Sequence, residues 1–382
     1  MRWLEVLAIG VYVFDRTGSA LTVALVQLVR WLPLVLFGGL IGAYAEQGRR
    51  KPLLLAGFLL ASGISVLLGL LALGGQIALW QIGAGSFLMG LLWAGDYALR
   101  RTLLGDVAGL ERLSTAMALD SVTMAATRMI GPLVGGVLIG SIGLHGAYFA
   151  GVALYGLAVL LLLGLVEPGS RPVAAEPGRS AGWREGLAYL RGNRQVTAVL
   201  FITVVFNLFG GPYVAFVPVI GKEILNLTPT FVGLLLAADG FGAFCGAILA
   251  TTFGERLPAG RVFVFGTGVF LLGVLLFALS DSFLVSGLLL LAAGFGFAGF
   301  SGMQSGLILR HSAPAVRRRM MGLLATCIGC SPIGMLHLGA LAEAMGTAPA
   351  LRLVAAEGLA ALILAAVIWR ELHAPPTSTR RP

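Results

Sequence analysis

The chain has few charged residues. Asp, Glu, Lys and Arg make up 11% of its 382 residues, whereas a soluble protein of this size carries roughly 25%. Hydrophobic residues account for 58%. Apolar runs of about 20 residues, the length a helix needs to cross a bilayer, recur along the whole chain. This composition excludes a water-soluble globular protein and predicts an all-α integral membrane protein.

Cysteine is also scarce. Cys245, Cys327 and Cys330 are the only three, and all fall in apolar runs. The Cys-x-x-Cys spacing of the last two can indicate redox or metal chemistry, but the lipid setting favours small core residues. The sequence contains no Walker loop and no dinucleotide-binding glycine fingerprint attached to soluble α/β structure. We therefore expect no metal and no cofactor, and ATP-driven transport within this chain is excluded.

Twelve apolar runs are predicted to be membrane spans. Span 1, at 3–14, has only about twelve apolar residues, so we expect helix 1 to be truncated, or the native start to lie upstream of Met1. The other spans are placed at 20–44, 53–73, 77–98, 115–140, 145–166, 196–219, 230–253, 262–280, 283–308, 320–342 and 350–369.

The longest hydrophilic stretch divides the spans six and six. Within it Trp183, Leu187 and Leu190 share one helical face, which is typical of an amphipathic helix at a membrane interface. The sequence thus predicts a six-helix bundle at 1–166, a cytoplasmic linker with an interfacial helix at 167–194, a second six-helix bundle at 195–371 and a disordered cytoplasmic tail at 372–382.

The positions of the basic residues behind the net charge of +9 follow the predicted membrane topology. With the N-terminus placed in the cytoplasm, 21 of the 26 Lys and Arg residues fall on the cytoplasmic side and 3 outside, while Arg30 and Arg128 lie within spans. Such an asymmetry is the positive-inside pattern of membrane proteins. It predicts a multi-pass protein of the plasma (inner) membrane with both termini cytoplasmic and the lipid bilayer as its partner. A nucleic-acid-binding surface is not expected.

The two halves resemble each other. A gapless offset of 209 residues pairs 24–26 with 233–235 and Glu46 with Glu255, and the fifth and eleventh spans each carry a mid-span proline, Pro132 and Pro332. Internal repeats of membrane helices that meet at a midplane site are a transporter architecture. We therefore expect two pseudo-symmetric bundles.

The loop after span 2 resembles that of the major facilitator superfamily. It reads Gly-Ala-Tyr-Ala-Glu-Gln-Gly-Arg-Arg-Lys at 42–51, and the matching positions are Gly42, Glu46, Arg50 and Lys51. The resemblance implies the major facilitator fold and a loop that latches helix 2 to helix 11 in the outward-facing state. Gln47 and Arg49 depart from the usual pattern, which weakens the latch, and the alternative is a purely topological role for these basic residues.

Residues 127–136 resemble the helix 5 signature of exporters in that superfamily. Gly131, Pro132, Gly135 and Gly136 match the signature, and Thr127 replaces its first glycine. The resemblance implies that this bare face packs against helix 8 and seals an outward leak. Small residues do allow membrane helices to approach closely. The alternative is an ordinary kinked helix.

The subgroup that the chain resembles includes siderophore, macrolide and multidrug exporters. The resemblance implies a secondary active transporter, which we expect to export an amphipathic small molecule by alternating access coupled to proton antiport. An importer or uniporter of the same fold is the alternative. The helix 4 arginine of many drug exporters is absent, since Ala78 and Gln81 stand there. We expect a monomer.

Six charged residues lie inside predicted spans: Glu5, Arg30, Asp120, Arg128, Asp239 and Glu357. Each costs about 2.5–3.5 kcal/mol at the bilayer centre, so these groups must be paired, protonated or facing water. Glu5, Asp120 and Asp239 are candidate proton carriers, because burial of a carboxyl disfavours its charged form. Arg128 and Asp239 are predicted to form an outer-gate ion pair, with two separately solvated charges as the alternative.

The remaining candidates follow from the helices that line the cavity in the superfamily. The predicted cavity residues are Trp93, Tyr97, Asn207, Met303 and Gln304. The predicted cytoplasmic gate residues are Asp96, Arg100, Arg101 and Arg310. Apolar walls with sparse polar groups suit an amphipathic organic substrate. The alternatives are helix core for the first set and positive-inside anchors for the second.

An enzyme is a remote alternative. Residues 299–302 read Gly-Phe-Ser-Gly, which matches the motif of intramembrane serine proteases, and His337 lies on a later span. A nucleophilic Ser301 would need His337 within hydrogen-bond reach. With 55 glycines in the chain, however, the motif is expected by chance.

Overall fold

The computed structural model describes residues 1–45, 50–165, 189–253 and 257–372, and no strand occurs in these ranges. The helices are α1 (Arg2–Thr17), α2 (Ala20–Ala45), α3 (Arg50–Leu73), α4 (Leu79–Ser141), α5 (Leu144–Leu163), α6 (Arg194–Val205), α7 (Tyr213–Glu223), α8 (Pro229–Phe253), α9 (Ala259–Phe277), α10 (Phe283–His311), α11 (Arg317–Ile328), α12 (Ser331–Met345) and α13 (Thr347–Ile368). The predicted all-α class is confirmed. Most of the predicted linker and nearly all of the tail lie outside the described residues.

The predicted spans map onto these helices with two kinds of difference. Spans 4 and 5 both belong to α4, in which two helices meet at a kink at Gly109. Gly109 has φ 69°, a left-handed conformation that glycine adopts without steric cost. Spans 7 and 11 are each interrupted: a π-helical turn at Phe206–Gly210 separates α6 from α7, and α11 ends at Ile328 before α12 begins at Ser331.

The prolines explain these interruptions in part. Pro212 follows the π-helical turn and has no N–H to donate, so the regular hydrogen-bond ladder cannot continue through it. Pro332 stands in the first turn of α12, where a missing N–H costs nothing. Ten segments of the described chain are long and apolar enough to cross a membrane.

The chain divides into two compact units. The first comprises Met1–Gly178 with Ala215–Ala237, and the second comprises Arg179–Val214 with Ala238–Pro382. In the first unit α2 packs on α4, α3 on α5 and α1 on α4. Gly90 allows α4 to approach α2 closely, because a Cβ on Gly90 would lie 1.9 Å from the carbonyl oxygen of Arg30.

The second unit is built around α9, which packs against α10 and α13. Its core is aromatic: the ring of Phe206 stacks on that of Phe300 with centroids 3.8 Å apart and contacts Phe270 at 4.5 Å. Close backbone approach again rests on small residues, since a Cβ on Gly294 would lie 1.9 Å from the carbonyl oxygen of Asp239. The core therefore fixes the second half of α8 against α10.

The outer surface is apolar. Trp80 is 72% exposed, Phe265 73% and Leu284 69%, whereas large apolar patches are rare on soluble monomers. Charged groups such as Glu5 and Asp239 are buried instead. This inversion fits a multi-pass protein whose helices face lipid.

Candidate binding and gating residues

Glu5 and Arg30 form a buried ion pair between α1 and α2. Arg30 Nη2 donates to Glu5 Oε2 at 2.5 Å, and the side chains of Arg30 and Glu5 are 7% and 2% exposed. Beside them Gln27 Nε2 donates to the carbonyl oxygen of Val6 at 3.0 Å. The pair offsets the cost of two charges at depth. The sequence placed both residues in spans, but it did not predict that they meet.

Asp120 and two predicted cytoplasmic gate residues lie together. Arg100 Nη1 donates to Asp120 Oδ1, and Arg100 Nε lies 3.7 Å from Asp96 Oδ2. This triad joins the two halves of α4 across the break at Gly109. The side chain of Arg101 is outside the described part of the structure, and Arg310 is exposed.

The two residues of the predicted outer gate have other neighbours within their own units. The guanidinium of Arg128 lies over the Trp3 ring, 4.9 Å from its centroid. Asp239 Oδ1 accepts a hydrogen bond of 2.6 Å from the Tyr213 hydroxyl. Arg128 belongs to the first unit and Asp239 to the second, so the pair itself stays a prediction. No sequence signal marked Trp3 or Tyr213 as their partners.

The glycines of the exporter-like signature line two close contacts in the first unit. A Cβ on Gly135 would lie 2.8 Å from the carbonyl oxygen of Leu4, and one on Gly136 would lie 2.6 Å from that of Pro229 and 3.0 Å from Gly233 Cα. Thr230 Oγ1 also donates to the carbonyl oxygen of Gly136 at 3.4 Å. The bare face of α4 thus packs against α1 and against the start of α8.

The other signature residues belong to the same segment. A Cβ on Gly131 would lie 2.8 Å from Trp3 Cβ. A Cβ on Gly233 would lie 2.6 Å from the carbonyl oxygen of Pro132. Pro132 is inside α4. At these positions a larger residue would force helices apart.

The loop motif after α2 is described only in part. Gly42 lies in the last turns of α2, and Glu46 is outside the described residues. Arg50 begins α3 and is buried. Lys51 Nζ donates to the carbonyl oxygens of Leu163 and Leu165, at 3.1 and 2.5 Å, at the end of α5, where a cation complements the helix dipole.

A cavity of about 460 Å³ lies within the first unit, among α1 to α5. Its walls are mostly apolar and aromatic, and its charged members are Arg2, Arg30 and Asp96. Trp93, a predicted cavity residue, lines it. The side chain of Tyr97 is outside the described part of the structure. Such a cavity matches the general form of a small-molecule site, apolar with a few placed polar groups.

The predicted cavity residues of the second unit lie along the interrupted span 7. Asn207 sits in the π-helical turn and donates to the carbonyl oxygen of Thr203 at 2.9 Å. Gln304 Nε2 donates to Thr203 Oγ1 at 2.8 Å, and Met303 beside it is half-buried. π-helical turns occur frequently at functional sites. The structure thus brings Asn207 and Gln304 to the same residue, Thr203.

His337 has a carboxylate neighbour in the second unit. Its Nε2 lies 3.0 Å from Glu357 Oε2, while Ser301 is exposed on α10. Cys245, Cys327 and Cys330 are free thiols. Among the described residues, no group of three or more His, Cys, Asp and Glu side chains could hold a metal ion.

Known proteins resemble much of the chain. A family model described as "Transmembrane secretion effector" matches residues 2–380. Macrolide efflux protein A of Streptococcus pyogenes is 21% identical over 354 residues, which cover 89% of this chain and 85% of that protein. The class C tetracycline resistance protein of Escherichia coli is 27% identical over 228 residues, 56% of this chain and 54% of its own.

Solved structures match the fold. A bacterial homologue of the human lysosomal transporter Spinster, inward-facing and occupied, has a TM-score of 0.73 at 15% identity and covers 98% of this chain and 96% of its own. The nucleoside transporter NupG has a TM-score of 0.70 at 14% identity, with 96% of this chain and 97% of its own covered. At these identities the likeness concerns the fold alone.

Proposed function

We propose that this chain, which belongs to the transmembrane secretion effector family of the major facilitator superfamily, exports an amphipathic small molecule across the plasma membrane. The observation that carries the proposal is the similarity to macrolide efflux proteins, which covers 85% of the Streptococcus pyogenes relative. The family consists of transporters, so a protease built on Ser301 and His337 is excluded. Drugs, macrolides and siderophores are the substrate classes to test.

Transport is proposed to proceed by alternating access of the two units. The apolar cavity of the first unit, with aromatic walls and three charged residues, supports an amphipathic substrate, because apolar walls bind its body and the charges orient its polar group. Import or uniport by the same fold is the second candidate.

Proton antiport is proposed to use carboxylates that already hold a partner. Glu5 pairs with Arg30 and Asp120 with Arg100, and Asp239 accepts from Tyr213. A proton that binds Glu5 or Asp120 removes its negative charge and releases the arginine. Moving one proton down 100 mV supplies about 2.3 kcal/mol, enough to bias a two-state cycle.

An outer gate is proposed between Arg128 and Asp239, together with a leak seal at the glycine face of α4. The seal is supported by the contact of Gly136 with Pro229 and Gly233. The gate predicts that Arg128→Ala and Asp239→Ala each impair transport more than the double variant, because a single change leaves one charge without its gate partner. If the double variant is no better than either single variant, the gate is wrong.

The function is tested in proteoliposomes with the purified full chain. Efflux of a panel of dyes, macrolides and siderophores is measured with and without an imposed pH gradient. Export of at least one compound that is faster with the gradient is the expected result. Glu5→Gln is expected to abolish the gradient-driven part, and Asp281→Asn, which changes an exposed carboxylate, is the matched control. Export that does not depend on the pH gradient would contradict proton antiport. If none of the compounds is exported, the proposed substrate classes are wrong.

The orientation, with both termini cytoplasmic, rests on the basic residues. Only Arg16, Lys222 and Arg352 fall on the predicted outer side. A cysteine placed at position 352 should react with a membrane-impermeant thiol reagent in intact cells, and one placed at position 112 should not. A monomer is proposed and is tested by the mass of the detergent-solubilised protein.

A further inference from the structure

The guanidinium of Arg2 lies in a cage of tryptophan rings. Its central carbon is 4.0 Å from the ring centroid of Trp93, 4.5 Å from that of Trp31 and 5.1 Å from that of Trp3. Trp31 and Trp93 meet edge to face with centroids 5.5 Å apart. An aromatic cage of this kind binds ammonium and guanidinium groups through the negative faces of its rings. Here its occupant is a side chain of the protein.

The cage opens onto the cavity of about 460 Å³ in the first unit. Arg2 and Trp93 both line that cavity, as does Asp96, three residues beyond Trp93 on α4. Asp96 Oδ1 is buried and has no hydrogen-bond partner within the described chain. A buried carboxylate oxygen in the same cavity attracts a cation electrostatically. The cavity thus has more capacity for a cation than Arg2 alone uses.

Other charged residues of the cavity already hold partners of opposite charge. Arg30 pairs with Glu5, and Arg100 lies between Asp96 and Asp120. If Arg2 left the cage, the cavity would lose one positive charge. A bound organic cation would replace that charge.

We propose that the Trp31–Trp93 cage is a binding site for amphipathic organic cations and that Arg2 occupies it as an internal surrogate until such a cation displaces it. The proposal rests on the proposed export function, whose substrate class it narrows. The cation of the ligand takes over the cation–π contacts that the guanidinium gives up, so the exchange of one cation for the other is close to neutral for the protein. The gain comes from the apolar body of the ligand, which fills the cavity.

A second, apolar cavity of about 360 Å³ adjoins the first. It lies among α3, α4 and α5 and shares Leu54 and Phe58 with the first cavity. Its other lining residues are aliphatic apart from Arg100. This apolar lining extends the surface against which the apolar body of an amphipathic cation can pack.

Equilibrium binding of radiolabelled tetraphenylphosphonium to the purified full chain in detergent tests the site. Tetraphenylborate, which has the same shape and the opposite charge, is the matched control ligand. Arg2→Gln, which empties the cage, is expected to tighten binding of the cation about tenfold, the scale of a cation–π contact. Arg2→Lys, which keeps a cation in place, should bind as the unmodified chain does.

Variants of the cage check the geometry. Trp93→Leu is expected to weaken cation binding at least fivefold in the Arg2→Gln background, on the order of one lost ring contact, whereas Trp93→Phe keeps a ring and should lose less. Thermal unfolding of each variant identifies misfolded protein. The proposal is overturned if Arg2→Gln binds the cation no more tightly, or tightens tetraphenylborate equally, or if Trp93→Leu folds and binds unchanged.

The binding assay separates this proposal from the export function. If Arg2→Gln tightens cation binding but the proteoliposomes export nothing, the cage stands and the export function fails. If cations are exported at rates that Arg2→Gln and Trp93→Leu leave unchanged, export stands and the cage is wrong.

Discussion

Glu5 and Arg30 lie 25 residues apart in sequence and 2.5 Å apart in space, and both side chains are more than nine-tenths buried. Glu5 is the only acceptor for the Arg30 side chain among the described residues. Glu5 Oε1 and Arg30 Nη1 have no further hydrogen-bond partner there. Among the described residues, neither Glu5 nor Arg30 therefore has a second side-chain partner within hydrogen-bond distance.

Glu5→Ala is expected to lower the free energy of unfolding by about 3–5 kcal/mol, because it leaves Arg30 as an uncompensated buried charge. The double variant Glu5→Leu, Arg30→Met removes both charges and should recover most of that loss. Thermal unfolding in detergent micelles measures both. A double variant less stable than Glu5→Ala would contradict the isolated pair.

Asp120→Ala should lower the free energy of unfolding by less than Glu5→Ala does. Arg100 loses its contact with Asp120 but keeps Asp96, whose Oδ2 lies 3.7 Å from Arg100 Nε. We expect roughly half the loss of the Glu5 variant, since one of two carboxylates remains. The same unfolding measurement compares them, and removing Asp96 as well should bring the loss to that of Glu5→Ala. Equal losses from Asp120→Ala and Glu5→Ala would count against a role for Asp96.

Gly136→Leu should separate α4 from the start of α8. Even a Cβ would lie 2.6 Å from the carbonyl oxygen of Pro229, and overpacking costs about 1–3 kcal/mol. We expect a lower melting temperature, and a faster proton leak in liposomes loaded with a pH-sensitive dye. Gly156→Leu is the matched control, because nothing lies within 4 Å of a Cβ there. If Gly136→Leu changes neither the melting temperature nor the rate of the proton leak, the proposed seal is wrong.

Two buried tyrosines allow a matched comparison. The Tyr213 hydroxyl donates to Asp239 at 2.6 Å, whereas the Tyr148 hydroxyl has no hydrogen-bond partner in the described chain. Tyr213→Phe should destabilise the protein by about 1.5–3 kcal/mol, the range for a hydrogen bond to a charged group. Tyr148→Phe should be neutral or stabilising. Equal melting temperatures of the two variants would show that the bond to Asp239 contributes nothing.

Local features of the sequence were sufficient for the fold class. Apolar run length predicts spanning helices because lipid cannot hydrogen-bond an open backbone, and the family signatures at 42–51 and 127–136 are read along one segment each. The break inside α4 was not predicted from the sequence. Gly109 is one of 55 glycines, and its left-handed conformation is set by how the two halves of α4 pack.

The sequence did not predict which residues contact the buried charges. Arg30, Asp120 and Arg128 were all recognised as costly in lipid, yet their neighbours Glu5, Arg100 and Trp3 depend on the rotation of each helix about its axis. That rotation is set by close contacts such as Gly90 against Arg30 and Gly294 against Asp239. A difference of one residue in register would turn each charge by about 100°.

By itself the sequence determined that this protein is embedded in a membrane by many apolar helices and which family it resembles. These properties depend on the free energy of transferring single segments from water to lipid, which is additive along the chain. Only the tertiary structure decided that Arg2 sits between Trp31 and Trp93 and that Glu5 holds Arg30. Such pairings depend on side-chain directions from separate helices, and those directions exist only once the helices have packed.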